Sequence, residues 1–221
     1  MEKYIIVNFK HYENATGTRA RSLAESLLGI RMPPSTHLYL SVSPPDLARF
    51  GPEIRNHVIS QHVDPTGFGA FTGKISMEYL LREGITGSLI NHSENRIGYD
   101  EIMKIIDKAG KLHFTPFVCV KDQEEGERII KLRPPFVAYE PPELIGGNVS
   151  VSRAKPEIIS DVVSVAERYG VKVLVGAGIK NARDYQKSLE LGAAGVLIAS
   201  GVVKAENPKS ALSSLINSKS P

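Results

Sequence analysis

VKVLVGAGIKNARDYQKSLELGAAGVLIASG, residues Val171 to Gly201, holds two short apolar runs with a helical stretch between them. The first run, Val171 to Val175, is β-branched and ends in Gly176-Ala177-Gly178. The pattern predicts a helix over Ala182 to Leu191, ended by Gly192. The second run, Gly195 to Ile198, leads into Ala199-Ser200-Gly201. Two strands joined through a helix run parallel, because the helix carries the chain back to the starting edge.

The same unit repeats back to the N-terminus. Tyr4 to Phe9 reads as a buried strand, and Thr18 to Leu28 as a helix with Leu23, Leu27 and Leu28 on one stripe. Leu38 to Val42 is the second strand, followed by a short helix over Pro44 to Phe50 that opens on prolines. Val58 to Gln61 is the third strand, Asp64 to Gly73 a Gly-rich loop and Ser76 to Glu83 a helix. Then come strand Gly87 to Ile90, helix Tyr99 to Ala109, strand Phe114 to Val120 and helix Gln123 to Leu132. Phe136 to Tyr139 is the sixth strand. A long loop runs from Pro141 to about Ser152, and a helix from Lys155 to Tyr169 ends at Gly170. The last helix spans Pro208 to Asn217. Eight such parallel units close a (β/α)8 barrel, an α/β fold of roughly 200 residues or more. With no composition shift to mark a linker, residues 1–221 read as one domain. An open doubly wound sheet is the competing architecture.

Composition narrows the classes. An apolar share of 42% and a charged share of 23% are those of an ordinary soluble globular protein. Cys119 is the single cysteine, so no intrachain disulfide forms, which fits a reducing cytoplasm. The N-terminal apolar run, Tyr4 to Val7, is shorter than the roughly 7–15 residues of a secretory core. No stretch approaches the ~20 residues of a membrane span. The net charge of +3 is scattered, with Arg19 and Arg21 its densest cluster, which gives no nucleic-acid surface.

In a parallel barrel, chemistry sits where strands end. Strand one ends in Asn8-Phe9-Lys10 and strand four in Asn91-His92-Ser93-Glu94. Strand six ends in Glu140, and strands seven and eight run into small-residue turns. A carboxylate there can act as a base and an imidazole as an acid or electrophile. A lysine can hold a dianion, and glycine turns let backbone N–H groups approach a phosphate. Taken singly, Lys10 reads as well as a solvated lysine, His92 as a structural histidine, Glu140 as half of an ion pair, and Gly176 and Gly178 as turn glycines. Their convergence on one rim favours function.

These residues resemble the triosephosphate isomerases, above all their short archaeal branch, over essentially the whole chain. The family's N-x-K motif matches Asn8-Phe9-Lys10, and its H-S-E motif matches His92-Ser93-Glu94. Its Tyr-Glu-Pro signature, with a lid ending in Ile-Gly, matches Tyr139-Glu140-Pro141 and Ile145-Gly146. Ala70-Phe71-Thr72-Gly73 is similar to the loop through which one subunit reaches its neighbour's site. The lid from Glu140 to Gly146, and Ala199 to Val203, look archaeal.

The resemblance implies interconversion of dihydroxyacetone phosphate and glyceraldehyde 3-phosphate, a step of glycolysis and gluconeogenesis, by a cytoplasmic homo-oligomer, dimer or tetramer. It implies no cofactor and no metal. It assigns Glu140 as the base, His92 as the electrophile, Lys10 as the cation, Asn8 as a positioning group and Glu94 as the support of Lys10. It places Phe9, Ile145, Gly146, Gly178, Ala199 and Ser200 at the substrate and its phosphate, and Thr72 on the inter-subunit loop. It also implies a lid that excludes water on closing. A short helix beginning at Ser93-Glu94 would keep His92 neutral.

The chain departs from the family pattern at four places. Lys74 stands where an acidic residue is common, and Asn95 where Arg is common, with Arg96 next. Ala199-Ser200 replaces a common Gly-Gly, and Gly147-Asn148 departs from the commoner lid sequence. Other phosphosugar barrels, such as a prenyl-glyceryl phosphate synthase or an indole-pathway isomerase, share the glycine turns but use different rim residues. A dinucleotide-dependent dehydrogenase fits poorly, because Asn181 occupies the third glycine position of Gly176-Ala177-Gly178. A non-catalytic barrel would have little use for three ionisable rim residues. His37, His57, His62 and His113 lack a recognised metal spacing.

Overall fold

The computed structural model describes residues 2–141, 156–176 and 178–217. Its strands are β1 (Lys3–Asn8), β2 (Thr36–Val42), β3 (Val58–Ser60), β4 (Gly87–Ile90), β5 (Thr115–Val120), β6 (Phe136–Tyr139), β7 (Lys172–Gly176) and β8 (Gly195–Ile198). Each pairs in parallel with the next in chain order, and β8 returns to pair with β1. The sheet is thus closed, which decides for the barrel against the open doubly wound alternative. Closure brings β8 very near β1: a Cβ on Gly195 would lie 1.8 Å from the Tyr4 carbonyl oxygen, so only glycine fits.

Period-two alternation sorts the strand residues into two cores. One set, including Ile6, Leu89, Phe117, Cys119, Ala138, Leu174 and Leu197, fills the barrel interior. The other, including Ile5, Val7, Val118, Val137, Val175 and Ile198, packs outward beneath the helices. Tyr4, Phe136, Phe117 and Tyr39 stack edge to face or face to face, with centroids 4.6–5.8 Å apart. They fill the end of the barrel where the strands begin, which leaves the opposite end for a cleft.

The helices are α1 (Thr18–Leu28), α2 (Pro52–Arg55), α3 (Met77–Arg82), α4 (Tyr99–Leu112), α5 (Gln123–Ile130), α6 (Pro156–Tyr169), α7 (Ala182–Glu190), α8 (Ser200–Val203) and α9 (Pro208–Asn217). Side chains cap several of them, among them Asn207 before α9, whose amide oxygen accepts from Ser210 N–H. The Ser76 hydroxyl accepts from Tyr79 N–H, the Asp122 carboxylate from Glu125 N–H, and the Asn181 amide oxygen from Asp184 N–H. Such caps each contribute about 1 kcal/mol.

Three local expectations shift. The helix read over Pro44 to Phe50 is a 3-10 turn, Pro44–Arg49, followed by the single turn of α2. Pro52 forces the break, since the residue before a proline is kept extended, as Gly51 is at ψ 165°. Helix α4 runs through Gly110 to Leu112, and His113 ends it in the left-handed conformation at φ 54°. Strand β5 therefore begins at Thr115. Helix α8 has no counterpart in the sequence reading. No helix among the described residues is long and apolar enough to cross a membrane.

Candidate active site

At the end of β1, Asn8 is buried and Lys10 takes a left-handed conformation at φ 48°. The Asn8 amide oxygen accepts from Lys10 N–H at 3.0 Å and from the Gln61 amide at 3.3 Å. Two donors on the oxygen leave the amide NH2 to face the cleft, 3.4 Å from Nε2 of His92. The Gln61 amide also donates to the carbonyls of Lys10 and Ser41 and so ties the ends of β1, β2 and β3 together. The bend at Lys10 brings its Nζ to 2.6 Å from Oε1 of Glu94.

Asn91 follows β4 in the left-handed region, at φ 58°, and His92 comes next. The helix expected at Ser93-Glu94 is absent: residues 92–95 form a single turn, closed by Asn95 N–H donating to the His92 carbonyl at 2.8 Å. The ring is fixed by another route. Glu94 N–H donates to Nδ1 of His92 at 3.2 Å. A nitrogen that accepts holds no proton, so this contact puts the ring N–H on Nε2.

Glu140 follows β6, with its N–H on the Val120 carbonyl, and is 5% exposed. Its Oε1 lies 3.3 Å from Nε2 of His92, and its Oε2 accepts from Ser93 N–H at 3.4 Å. Burial pushes the carboxyl up. His92, by its hydrogen bond and electrostatically, together with hydrogen bonds from the Cys119 thiol and Ser93, outweighs that and holds it below its ordinary value. Cys119 is pushed well up in turn, by burial and by the charge of Glu140. On its other side Glu140 rests on Gly176, where an added Cβ would stand 2.8 Å from Cγ of Glu140.

A cleft of about 410 Å³ opens here, lined by Asn8, Lys10, Gln61, Leu89, His92 and Glu94 among others. Gly178 takes φ 70°, and α8 starts directly at the end of β8 with Ala199 at its N-cap. The first N–H groups of α8, from Ser200 onward, therefore stand at this rim. Phe9 is turned the other way: its ring is fully buried in the outer core and its N–H is bonded to the Ser41 carbonyl. Ile145, Gly146 and the Gly147-Asn148 variation lie outside the described residues. Thr72 is exposed on the loop between Asp64 and Ser76, away from its own chain's cleft. Lys74 pairs within that loop, with Nζ 2.9 Å from Oδ1 of Asp64. Among the described residues no group of three His, Cys, Asp or Glu could hold a metal.

The model of the family described as triosephosphate isomerase matches residues 3–219. The chain belongs to the triosephosphate isomerase family. It is 49% identical to a triosephosphate isomerase of Thermoplasma volcanium, over 96% of this chain and 98% of that one. It is 42% identical to one of Archaeoglobus fulgidus, over 96% of each chain. With one of Saccharolobus solfataricus it shares 39%, over 97% of this chain and 95% of the relative. The triosephosphate isomerase resemblance read from the motifs is thus confirmed over nearly the full length.

The rim rule found Asn8, Lys10, His92, Glu94 and Glu140, and the structure brings these five together. It missed Gln61, which the sequence reading placed inside β3, although the strand ends at Ser60 and leaves Gln61 on the rim. Gly176 was read as a turn glycine for phosphate and not as the surface under Glu140, and Cys119 was read only as the single cysteine. Their part is played by contact with Glu140 across strands, and no local pattern signals it.

Proposed function

We propose that Glu140, His92, Asn8 and Lys10 carry out the isomerisation of dihydroxyacetone phosphate and D-glyceraldehyde 3-phosphate. The observation that carries this assignment is the Glu140 carboxyl 3.3 Å from Nε2 of His92, with the Asn8 amide 3.4 Å from the same nitrogen. The chain is an isomerase by family. In our reading Glu140 takes a proton from C1 of the ketose as the C–H pair moves into an enediolate. It then returns that proton to C2, giving the aldose. The Nε2–H of His92 and the NH2 of Asn8 face the same space and donate to the oxygens that gain charge, and His92 relays the hydroxyl proton between them. Lys10 balances the negative charge, and Glu94 fixes its direction. Backbone N–H groups at Gly178, Ala199 and Ser200, with Ile145 and Gly146, take the phosphate.

The test is the purified protein given D-glyceraldehyde 3-phosphate, with dihydroxyacetone phosphate coupled to NADH oxidation. Rapid turnover without added metal or cofactor is expected. A folded protein that turns over nothing overturns the reading.

Gly176→Ala tests the packing of the base. The new methyl cannot share space with Cγ of Glu140, so the carboxylate must move by up to an ångström. Misplacement of that order lowers kcat by about 10²-fold. Steady-state kinetics with a thermal melt checks this, and a kcat close to wild type would show that Glu140 tolerates the shift.

We read residues 1–221 as one catalytic domain, working in the cytoplasm as a homo-oligomer. The loop around Thr72 supports self-association. Phe68 and Phe71 are 54% and 47% exposed on it, and Tyr79 of α3 is 56% exposed. Apolar groups gathered on one surface favour a partner. Phe71→Asp is expected to shift the protein to a smaller species in sedimentation velocity, and an unchanged species would place the interface elsewhere.

A further inference from the structure

Behind the cleft lies a set of polar side chains that the reaction itself does not use. Asn91 is 1% exposed and holds its left-handed φ of 58° directly before His92. A residue with a Cβ adopts that conformation only under compensation, and Asn does so most readily when its side chain is hydrogen-bonded nearby. Here every polar group of the side chain is engaged. The Asn91 amide NH2 donates to the Cys119 carbonyl at 2.8 Å and to Oε1 of Glu125 at 3.2 Å. The amide oxygen accepts from Ile97 N–H at 3.1 Å.

Arg96 and Glu125 close the set. One guanidinium nitrogen of Arg96 donates to the Asn91 carbonyl at 2.8 Å, and the other to Oε2 of Glu125. That same Oε2 accepts from Lys121 N–H at 2.8 Å, and Glu125 N–H donates to Asp122. Glu125 thus sits in the first turn of α5, tied to the residue before the N-cap and to the Asp122 cap, and reaches across to Asn91 after β4 from there. Arg96, displaced by one position from the family's common Arg, turns inward to this set.

We infer that Asn91, Arg96 and Glu125 are positioning residues that set the direction and the tautomer of the His92 ring. The inference rests on the assignment of His92 and Glu140 as the reacting pair. Residues 91–97 form a loop whose two ends are tied by the Arg96 and Ile97 bonds to Asn91. The Glu94 N–H that fixes Nδ1 of His92 is carried in the middle of that loop. If the ties go, this N–H drifts from Nδ1 and both tautomers become populated. The set also reaches the base. Asn91 holds the Cys119 carbonyl, and the Cys119 thiol donates to Glu140. One network therefore registers β4, β5 and β6 against each other at the point where the two reacting groups meet.

Two variants test this in the full-length protein. Glu125→Gln keeps the shape and removes the charge that draws Arg96. Asn91→Gly accepts φ 58° without strain, so the backbone survives while the side-chain ties are lost. In both, kcat is expected to fall about tenfold or more with KM changed by less than about twofold, as displacement of a reacting group produces. Nitrogen NMR of histidine-labelled protein provides the readout that a merely structural role would not move. The wild type should show one ring tautomer at His92, protonated on Nε2, and the variants a mixture. Kcat near wild type with a single tautomer in both folded variants, alongside an inactive Glu140→Gln protein, would overturn the inference and leave the catalytic assignment standing. An active Glu140→Gln protein would remove the assignment on which it rests.

Discussion

Glu140→Gln is expected to lower kcat by roughly 10³–10⁴-fold and to change KM only a few-fold. The amide has the size of the carboxylate and keeps its place between Gly176 and His92, so substrate binding should survive. An amide cannot accept a proton from carbon at neutral pH, so the chemical step fails. The environment of Glu140 also predicts the pH profile. Its folded-state value is depressed, because burial is outweighed by His92, through its hydrogen bond and electrostatically, and by the hydrogen bonds from the Cys119 thiol and Ser93. The base of the free enzyme is therefore already ionised throughout the neutral range. An acid limb of kcat/KM that belongs to Glu140 lies below the ordinary glutamate value of about 4.3. Stability follows the same sign. The ionised carboxylate contributes stability above the unfolded value, and this is lost as pH falls through the lower folded value. The Gln variant should lack that part of the acid slope in a pH series of thermal melts. A limb that moves in the variant from near pH 6 would show instead that the carboxyl is raised.

Legibility in the sequence tracked how local each signal is. Strand β8 and helix α9 match their sequence reading at both ends. Glycine bounds the one, and proline at the first turn starts the other. The end of α4 was not legible. Gly110 looks like a terminator, but it stays helical, and the left-handed residue is the exposed His113, where the backbone N–H groups close the helix on the Ala109 carbonyl. Helix α8 was hidden for a similar reason. Ser200-Gly201-Val202-Val203 has no periodicity to read, and the turn forms because β8 delivers the chain to the rim.

The site divides along the same line. Asn8 ends β1, Glu140 directly follows β6, and Lys10 and His92 come two residues after β1 and β4, so barrel topology alone places them on one rim. The contacts among Gly176, Cys119, Asn91, Arg96 and Glu125 depend on how far each strand is staggered against the next. That stagger is a property of closure and is written in no single segment. The histidine shows the difference most clearly. A helix N-terminus was expected beside the ring, yet the structure fixes Nδ1 through one backbone N–H, that of Glu94, in a turn tied from behind.

Lys10→Met is expected to lower kcat/KM by about 10³-fold, through both a lower kcat and a higher KM. The Lys10 side chain is only 17% exposed, and its direction is fixed twice, by the left-handed backbone and by Glu94 at 2.6 Å. Methionine matches the length of the stem, so packing changes little, but the charge goes. The loss is then compounded. The Glu94 carboxylate, balanced by Lys10 in the wild type, faces a substrate that already carries phosphate charge and gains more in the enediolate. Glu94→Gln in the same background should recover part of the activity by removing that repulsion. Steady-state kinetics on the two single variants and the double variant separates these contributions. A change confined to KM would assign Lys10 to phosphate binding alone, because a group that stabilises the enediolate must also show in kcat. A Lys10→Met protein within about tenfold of wild type would exclude Lys10 from the charge balance of the reaction altogether.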